Sequence, residues 1–518
     1  MVNNKKTGSQ ALVATLANCG VTHCFANPGT SEMHLIQALD KEPRIHSVLC
    51  LFEGVASAAA DGFARISGVP AITLLHLGPG YGNALANIHN ARRAYSPMIN
   101  IVGDHATYHR DLDAPLTSDI ETIVKANSSW IGVAETALEA GEVAAKSFEA
   151  ATNAPNSPVT LILPADTAWT DGGVDGPNVI AKSPSLVTSQ ALDEVVGAIK
   201  AAQKPIILVG GAALYDEGAL NNMARLAKAG VRVMIDTFPA RQARGAGRFA
   251  PEKMQYFAEM AISSMAGVDL MILAGTSIPC AFFAYPNTPS ILVPDGCVTL
   301  TLSERCEDTI EALQKLVDAL GAVEMAAVVT AAQMPAPTGP LNPAKIAQSL
   351  SRHMPENTII CDDSVSNGFA MYFGTMGAKK HDWLALTGGA IGIGLSMAIG
   401  AQMAAPQRKT IALSGDGSAM YAIQALWTMA REKLPIVTII FANHDYKVLN
   451  IEMMRTGAGD VGATAKSMLS LANPNLDFVA LAKGHGVQAA SVTTSEEFDE
   501  ILESALASNE PWLIEAMI

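Results

Sequence analysis

The stretch SGDGSAMYAIQALWTMAREKLPIVTIIFAN, residues 414–443, decides the fold. Its pattern predicts a strand over residues 409–413 that runs into the Gly-Asp-Gly turn at 415–417, then an amphipathic helix, then a second strand ending at Asn443. A strand–helix–strand crossover returns the chain to a neighbouring parallel strand. We therefore expect the side chains of Asp416 and Asn443 to lie at one edge of a parallel sheet.

These two side chains have the chemistry of a metal site. A carboxylate, an amide oxygen and a nearby backbone carbonyl form an all-oxygen set of the kind that Mg²⁺ or Ca²⁺ prefers. Mg²⁺ that is held by few protein ligands commonly takes phosphate oxygens as well. A Gly-Asp-Gly turn alone is ordinary turn chemistry. Its position after a strand, with Asn443 one crossover later, favours an anchor for a metal ion and a diphosphate.

The same succession of apolar strand, Gly-rich turn and helix recurs along the whole chain. Short apolar runs bounded by Gly, Pro or Asp are typical of strands that are buried on both faces of a parallel sheet. Such runs are PAITLL (70–75), PMINIVGD (97–104), KPIILVGG (204–211), VRVMIDTF (231–238), DLMILAG (269–275) and TIICDDS (358–364). Residues 170–188 and 333–343, rich in Gly, Pro or Ser, are typical of linkers. The sequence therefore predicts an α/β protein with three doubly wound parallel-sheet domains.

Composition excludes several classes of protein. The chain has 518 residues, 49% apolar and 16% charged, which excludes a disordered or collagen-like chain. Its net charge of −15 argues against nucleic acid and membrane surfaces as binding partners, because both are anionic. The seven cysteines are scattered and no signal peptide is visible, so we expect a cytoplasmic protein. The apolar run at 388–405 predicts a buried helix rather than a membrane span.

Four motifs carry a resemblance to a known family. They are NPGTSEM (27–33), FEGVASAAADGFAR (52–65), LHLGPGYGNALANIHNA (75–91) and GDGSAMYAIQALW (415–427). With the later Asn443, they make the sequence similar to thiamin-diphosphate-dependent 2-oxo-acid decarboxylases and carboligases, the branch of benzoylformate decarboxylase and acetolactate synthase large subunits. The resemblance implies a pyrimidine-binding domain at 1–172, a middle domain at 188–330 and a diphosphate-binding domain at 342–518.

The resemblance also implies which residues hold the cofactor. Asp416 and Asn443 would bind Mg²⁺ (or Ca²⁺) through their side chains, and Asp445 through its backbone carbonyl. Contacts to the diphosphate are implied for Gly415, Gly417, Ser418, Ser364 and Ser366. The two serines Ser364 and Ser366 are equally compatible with a plain strand-to-helix turn.

Three more residues would act on the reactive rings of the cofactor. Glu53 takes the family's glutamate position, where a buried carboxyl group binds the pyrimidine and drives it toward its imino tautomer. The plain alternative is a helix-start glutamate that interacts with the helix dipole. Ile391 would force the bent cofactor conformation, and Gly389 would accept a hydrogen bond from the cofactor's amino group. A dinucleotide loop at 389–394 is the weaker interpretation, because the glycine spacing does not match.

The substrate residues follow benzoylformate decarboxylase by resemblance. His76 is the candidate for proton transfer and for substrate contact, against the plain alternative of a structural hydrogen-bonding histidine. Thr30 would contact substrate, and it is also a good N-cap for a helix starting at Ser31. Val448 and Leu449 would line the pocket, or simply pack a helix.

The sequence departs from the family at two places. Phe283 stands where benzoylformate decarboxylase has a second active-site histidine, which makes the pocket more apolar. Asp104 and His105 stand where many relatives have glutamine, and His105 could supply the missing donor.

The function implied is decarboxylation of a 2-oxo acid, followed by release of an aldehyde or by carboligation of the enamine intermediate. Acetolactate synthase-type carboligation is the enzyme alternative, and a catalytically silent cofactor-binding homologue is the non-enzyme alternative. FAD is not expected, because the middle segment lacks its fingerprint. The family implies a homodimer or homotetramer with active sites between chains.

Overall fold

The computed structural model describes residues 5–457, 459 and 461–518. The first third of the chain forms a six-stranded parallel sheet flanked by helices. Its strands are β1 His23–Asn27, β2 His46–Leu49, β3 Ala71–Leu75, β4 Met98–Asp104, β5 Ile131–Val133 and β6 Pro158–Pro164. Its helices are α1 Gly8–Asn18, α2 Met33–Asp40, α3 Glu53–Ser67, α4 Leu77–Ala94, α5 Ile120–Lys125, α6 Ala140–Thr152 and α7 Ala165–Trp169. The strand order is β2-β1-β3-β4-β6-β5.

The middle of the chain forms a smaller sheet. Its strands are β7 Pro205–Val209, β8 Arg232–Ile235, β9 Gln242–Arg244, β10 Glu252–Lys253, β11 Leu270–Ala274 and β12 Val298–Ser303. Its helices are α8 Ser189–Ala201, α9 Glu217–Lys228, α10 Ala258–Ser264 and α11 Thr309–Leu320. Five of these strands pair in the order β10-β8-β7-β11-β12, whereas β9 leaves this sheet.

The last third forms a seven-stranded sheet that takes in β9. Its strands are β13 Thr358–Asp363, β14 His381–Ala385, β15 Thr410–Gly415, β16 Ile436–Ala442, β17 Gln488–Val492 and β18 Trp512–Met517. Its helices are α12 Pro343–His353, α13 Gly368–Gly374, α14 Gly394–Ala404, α15 Asp416–Ala419, α16 Ala425–Arg431, α17 Lys447–Arg455, α18 Ala463–Leu469, α19 Phe478–Gly484 and α20 Ser495–Ala507. The order is β17-β18-β16-β15-β13-β14-β9, with β9 antiparallel to β14. Single 3₁₀ turns cover Thr30–Glu32, Thr107–Leu112, Gly211–Leu214 and Val365–Asn367.

The predicted fold class is confirmed, since three mainly parallel sheets with alternating helices follow one another. The exact domain limits 1–172, 188–330 and 342–518 stay predictions. The helix expected after the Gly-Asp-Gly turn is divided into α15 and α16. Between them the chain tightens into 3₁₀-type bonds, such as Tyr421 N to Ser418 O (3.2 Å) and Ala425 N to Ala422 O (3.0 Å), so a continuous helix was the wrong expectation.

The apolar run at 388–405 becomes a buried helix only from Gly394 onward. Of the helices in the described part of the chain, none is long and apolar enough to cross a membrane. Helix α14 packs against α3 of the first third through glycines. A Cβ on Gly400 would lie 1.7 Å from the Ala59 carbonyl oxygen, and one on Gly62 would lie 2.0 Å from the Met397 carbonyl oxygen. The two helix backbones therefore touch, and this contact joins the first and last thirds of the chain.

This contact predicts that Gly400→Ala destabilises the protein. The added methyl group has no room, so the helices must separate, at about 3 kcal/mol, the upper end of ordinary overpacking. Thermal or urea unfolding measures the loss. Gly197→Ala on α8 is the matched control: no atom lies within 4 Å of its Cβ position, and alanine there should be neutral or stabilising by up to about 1 kcal/mol. Equal melting temperatures for the two variants would contradict the packing argument.

Candidate active site

Asp416 connects the ends of two neighbouring strands. It follows β15, which pairs in parallel with β16, and its carboxylate accepts three backbone N–H bonds. Gly417 donates to Oδ1 (2.9 Å), while Asn443 (3.1 Å) and His444 (2.6 Å) donate to Oδ2. The expected proximity of Asp416 and Asn443 is therefore present, 27 residues apart in the chain.

The residues after β16 fold back on themselves beside Asp416. The backbone N–H of Asp445 donates to Asn443 Oδ1 (3.0 Å), and Asn450 Nδ2 donates to Asp445 Oδ2 (2.7 Å). His444 has φ 54°, a left-handed conformation that is uncommon outside glycine and that allows this tight turn. The turn holds the amide of Asn443 and the backbone of Asp445 next to the carboxylate.

The Asp416 carboxylate has the properties of a cation ligand. It is 4% exposed, and burial raises its pKa above the ordinary range. No arginine, lysine or histidine in the described chain forms an ion pair with it. A carboxylate has about four lone-pair positions and three accept amides here, so capacity for a cation remains. Within the described residues no three His, Cys, Asp or Glu side chains cluster as a metal site, so an ion here depends on amide and carbonyl oxygens as well.

The predicted diphosphate contacts lie around this carboxylate and on the neighbouring strand. Gly415 caps the four-residue helix α15, and Ser418 is 3% exposed within it. The Gly417 amide is already bound to Asp416. After β13, Ser364 donates from both its N–H (3.0 Å) and its Oγ (2.5 Å) to Asp362 Oδ1, whereas Ser366 is exposed.

Two residues that the sequence analysis missed fix the loop that carries Gly389 and Ile391. Buried Asp363 accepts from the N–H groups of Gly392 (2.8 Å) and Gly394 (3.3 Å). Buried Asn90 of α4 forms two bonds with the backbone of Ala390, donating to its carbonyl (2.8 Å) and accepting from its N–H (3.2 Å). Asp363 lies in the strand run at 358–364 and Asn90 in the motif at 75–91, but the sequence around each residue does not indicate a partner so distant in the chain.

An aromatic cluster of the middle segment faces this loop. Gly389 has φ 77°, and a Cβ there would lie 2.9 Å from the Phe282 ring. Phe282 packs against Phe238, Tyr256 and Phe283, with ring centroids 4.9–5.9 Å from its own. The sequence analysis selected Phe283, which is 53% exposed, but the ring against Gly389 belongs to its neighbour Phe282.

Helix α17 contacts residues of the middle segment that are close in sequence to this cluster. Tyr285 Oη donates to Glu452 (2.8 Å), and Arg455 bonds to Glu259 (2.7 Å) while its guanidinium lies 4.0 Å from the Phe257 ring centroid. These contacts fix the helix that carries Val448 and Leu449. Leu449 is 45% exposed and Val448 is half-buried, so part of each side chain remains accessible and is not covered by helix packing.

Glu53 is the first residue of α3, separated from the end of β2 by three residues, and it is 9% exposed. Asn83 Nδ2 donates to its Oε2 (3.0 Å), and its Oε1 lies 3.3 Å from the Cβ position of Gly80. A larger residue at position 80 would crowd this oxygen. One carboxylate oxygen is therefore fixed by an amide, and the other lies against a glycine that leaves it room.

His76 follows β3, which β1 separates from β2 in the sheet. Its partner is a residue that the sequence analysis missed. Its Nδ1 is 2.9 Å from Oε2 of Glu32, a 1%-exposed carboxylate, and 3.2 Å from Ser31 Oγ. Gly29 permits this arrangement, because a Cβ there would lie 2.1 Å from the same Nδ1. Since β1 and β3 are neighbours, the strand order brings Glu32 to His76.

Thr30 is exposed in the 3₁₀ turn just before Glu32. The turn starts at Thr30 with Gly29 as its cap, and α2 starts only at Met33, so Thr30 is not the N-cap of a helix beginning at Ser31. The side chain that caps this turn is Glu32, which accepts from the Gly29 N–H (2.7 Å). Because Thr30 is exposed, its side chain is accessible to a ligand.

Asp104 is the last residue of β4, the neighbour of β3, and His105 follows it. Asp104 accepts from the His105 N–H (2.7 Å) and from Arg110 Nε (2.8 Å). His105 lines a cavity of about 250 Å³ with Ser31, and its buried Nε2 has no hydrogen-bond partner in the described residues. Its use as a donor stays a prediction.

The predicted residues thus form two groups. Glu53, Thr30 and His76 lie at the carboxyl edge of the first sheet, whereas Asp416, Asn443 and Asp445 lie at that edge of the third sheet. No hydrogen bond in the described part of the chain joins one group to the other. Each group alone contains only half of the predicted chemistry.

Known proteins resemble the chain over its full length. The sequence model of the protein family "Thiamine pyrophosphate enzyme, N-terminal TPP binding domain" matches residues 6–125, and the model of the family's C-terminal TPP binding domain matches residues 366–516. The "Putative acetolactate synthase large subunit IlvX" of Mycobacterium tuberculosis is 45% identical and covers 99% of both chains. Benzoylformate decarboxylase of Pseudomonas aeruginosa is 28% identical over 98% of each chain.

Among solved structures, a thiamine diphosphate-dependent 4-hydroxybenzoylformate decarboxylase of Rhodococcus jostii superposes with a TM-score of 0.86. It covers 99% of both chains at 24% identity, which supports the shared fold.

Asp363 generates a prediction about pH. Burial raises the pKa of its carboxyl group to about 7. The folded protein therefore keeps a proton that the unfolded chain releases near pH 4, so this group costs stability increasingly as pH rises from about 4 to about 7. In Asp363→Asn this cost is absent. The melting temperature of the variant minus that of the parent should increase from pH 5 to pH 7 and level off above.

The matched control is Asp193→Asn, an exposed aspartate on α8, for which the same difference should stay flat. Both proteins are measured without added cofactor or metal. A difference for Asp363→Asn that is constant or falls with pH would show that this carboxyl group does not titrate as its burial requires.

Proposed function

The chain belongs to the thiamine pyrophosphate enzyme family, and we propose that it uses thiamin diphosphate and Mg²⁺ to decarboxylate a 2-oxo acid and release an aldehyde. The observation that carries this proposal is the Asp416 carboxylate, buried between two strand ends beside the Asn443 amide and the Asp445 backbone. An oxygen set of this kind suits Mg²⁺ together with a diphosphate.

In this proposal Asp416, Asn443 and the Asp445 carbonyl hold the metal ion. The diphosphate would be contacted by five residues, which are Gly415, Gly417, Ser418, Ser364 and Ser366. When bound, thiamin diphosphate supplies a thiazolium ring that accepts the electron pair left by departing carbon dioxide. The protein's own residues then have two tasks, which are to orient this ring and to handle protons.

Glu53 would hold the pyrimidine end. Its carboxyl group, fixed by Asn83 and largely withdrawn from water, is suited to a hydrogen bond with a ring nitrogen. Ile391 and the Gly389 carbonyl would set the bend between the two rings. The loop that carries them is supported by Asp363 and Asn90, which favours a fixed rather than an adaptable cradle.

His76 would move the proton that converts the decarboxylated product to an aldehyde. The Glu32 carboxylate on Nδ1 orients the ring, leaving Nε2 as the atom that gives or takes the proton. Thr30 is exposed beside this pair and would contact the substrate. Glu32 is a positioning residue in this scheme.

The aromatic cluster indicates the preferred substrate. The cluster lies against Gly389 through the Phe282 ring, which packs on Phe238, Tyr256 and Phe283. Val448 and Leu449 would add aliphatic surface. Such an apolar surface favours a 2-oxo acid with an aromatic or bulky apolar side chain over pyruvate, because burying that side chain contributes about 25 cal/mol per Å².

Carboligation is the second candidate function. It is favoured by the 45% identical relative, whose name is that of an acetolactate synthase subunit. A phenylalanine at position 283 has no polar donor, which would slow protonation relative to capture by a carbonyl acceptor. A silent homologue is disfavoured, because Glu53, Asp416 and Asn443 are all present. Active sites between chains of a dimer or tetramer, a cytoplasmic location and the lack of FAD stay predictions.

A panel of 2-oxo acids tests the function. With thiamin diphosphate and Mg²⁺, carbon dioxide should be released faster from benzoylformate than from pyruvate, and the product mass distinguishes aldehyde from a carboligation product. Glu53→Gln should lower kcat at least about 100-fold, as loss of a positioned proton-handling group does, with an unchanged melting temperature. Glu503→Gln, an exposed glutamate on α20, is the control. No turnover of any acid, or full activity of Glu53→Gln, would contradict the proposal.

A further inference from the structure

A buried ion pair lies within helix α3. Arg65 and Asp61 are one helical turn apart, and their side chains are 2% and 0% exposed. Arg65 Nε donates to Asp61 Oδ1 (2.8 Å) and Nη2 donates to Asp61 Oδ2 (2.6 Å), so the pair is bidentate. Asp61 also accepts from Ser96 Oγ. Desolvation offsets most of the attraction in a buried pair, so it contributes little net stability, but it holds the guanidinium in one orientation.

The other donors of this guanidinium reach beyond the helix. Nη1 donates to the carbonyl oxygens of Ala385 (2.7 Å) and Ala240 (3.3 Å), and Nη2 donates to Thr387 Oγ1 (3.1 Å). Ala385 is the last residue of β14, and Thr387 lies in the loop at 386–393 that leads to α14. An arginine has five N–H donors, and all five are used here. Arg65 therefore ties the start of this loop to α3.

Thr387 is bound on both sides. Its hydroxyl accepts from Arg65 (3.1 Å) and donates to the backbone carbonyl of Asn90 on α4 (2.8 Å). The side chain of Asn90 in turn holds both backbone groups of Ala390. Gly389, whose carbonyl would accept from the cofactor, therefore lies between two residues that the helices of the first third hold in place.

Arg241 of the middle segment provides a comparison at the same junction. Its Nη1 donates to the Arg65 carbonyl (3.2 Å), and its Nη2 donates to Asp382 on β14 (2.9 Å). Asp382 also accepts from Arg408 (2.8 Å), so it keeps a cation if Arg241 is replaced. Among the described residues, Arg241 forms no hydrogen bond with the loop at 386–393. It joins the same elements as Arg65 but does not hold the loop.

We propose that Arg65 is a positioning residue for the cofactor, because its bond to Thr387 fixes the loop in which Gly389 and Ile391 would meet the cofactor's two rings. This inference rests on the proposed function. A loop that is already ordered incurs little ordering cost when a ligand binds, whereas a loop released from α3 must be ordered at that moment. Loss of the bond between Arg65 and Thr387 should therefore weaken the binding of thiamin diphosphate, although neither residue belongs to the set assigned above to the cofactor.

Titration calorimetry of the full-length protein with thiamin diphosphate, at saturating Mg²⁺, tests this inference. Thr387→Val keeps the ion pair and the size of the side chain but removes the hydroxyl, and it should raise the Kd about fivefold or more. Arg65→Met should raise it about tenfold or more. The double variant should show less than the product of the two single effects, because both changes break the same bond. Arg241→Met is the matched control, and it should lower the melting temperature while leaving the Kd unchanged.

The near-ultraviolet circular dichroism of the bound cofactor separates positioning from a general loss of packing. At saturating cofactor, Arg65→Met and Thr387→Val should change this spectrum, and Arg241→Met should not. If Arg65→Met does not fold, Thr387→Val decides the matter, since its ion pair is intact. An unchanged Kd in the folded variants, or an equal rise in Arg241→Met, would overturn this inference alone. A parent protein that does not bind thiamin diphosphate would overturn the proposed function as well.

Discussion

Three hydrogen bonds from backbone N–H groups to the Asp416 carboxylate hold the strand-end site together. Bonds from Asn443 and His444 draw the end of β16 onto the end of β15, and the bond from Gly417 starts the short helix between them. A buried anion that is bound only by neutral amides is left with excess negative charge. The same geometry that orders two strand ends therefore also produces a preference for a cation.

The rest of the site depends on close backbone approaches that small residues permit. Gly389 accommodates the Phe282 ring, Gly29 accommodates His76, and the contact of Gly400 with α3 joins the first and last thirds of the chain. The loop that carries Gly389 and Ile391 is then fixed from two directions, by Asp363 at the end of β13 and by Asn90 on α4. Close packing of this kind creates a rigid cradle, which is what positioned catalytic groups require.

Sequence alone predicted what is encoded locally. Strand runs, the α/β succession and the meeting of Asp416 with Asn443 all follow from neighbouring segments joined by one crossover. Contacts across the fold could not be read in this way. The Glu32–His76 pair depends on β1 lying beside β3, and β9 joins a sheet built from another part of the chain. The division of the helix after the Gly-Asp-Gly turn depends on tertiary packing, which overrides periodicity.

The central claim is that the oxygen set around Asp416 holds a divalent ion in contact with a diphosphate. Electron paramagnetic resonance with Mn²⁺ in place of Mg²⁺ tests it directly, without reference to turnover. With thiamin diphosphate present, the account predicts one tightly bound Mn²⁺ per chain, with phosphorus coupling in its spectrum, and loss of that signal in Asp416→Ala. Mn²⁺ bound without phosphorus coupling, or bound equally well by Asp416→Ala, would contradict it.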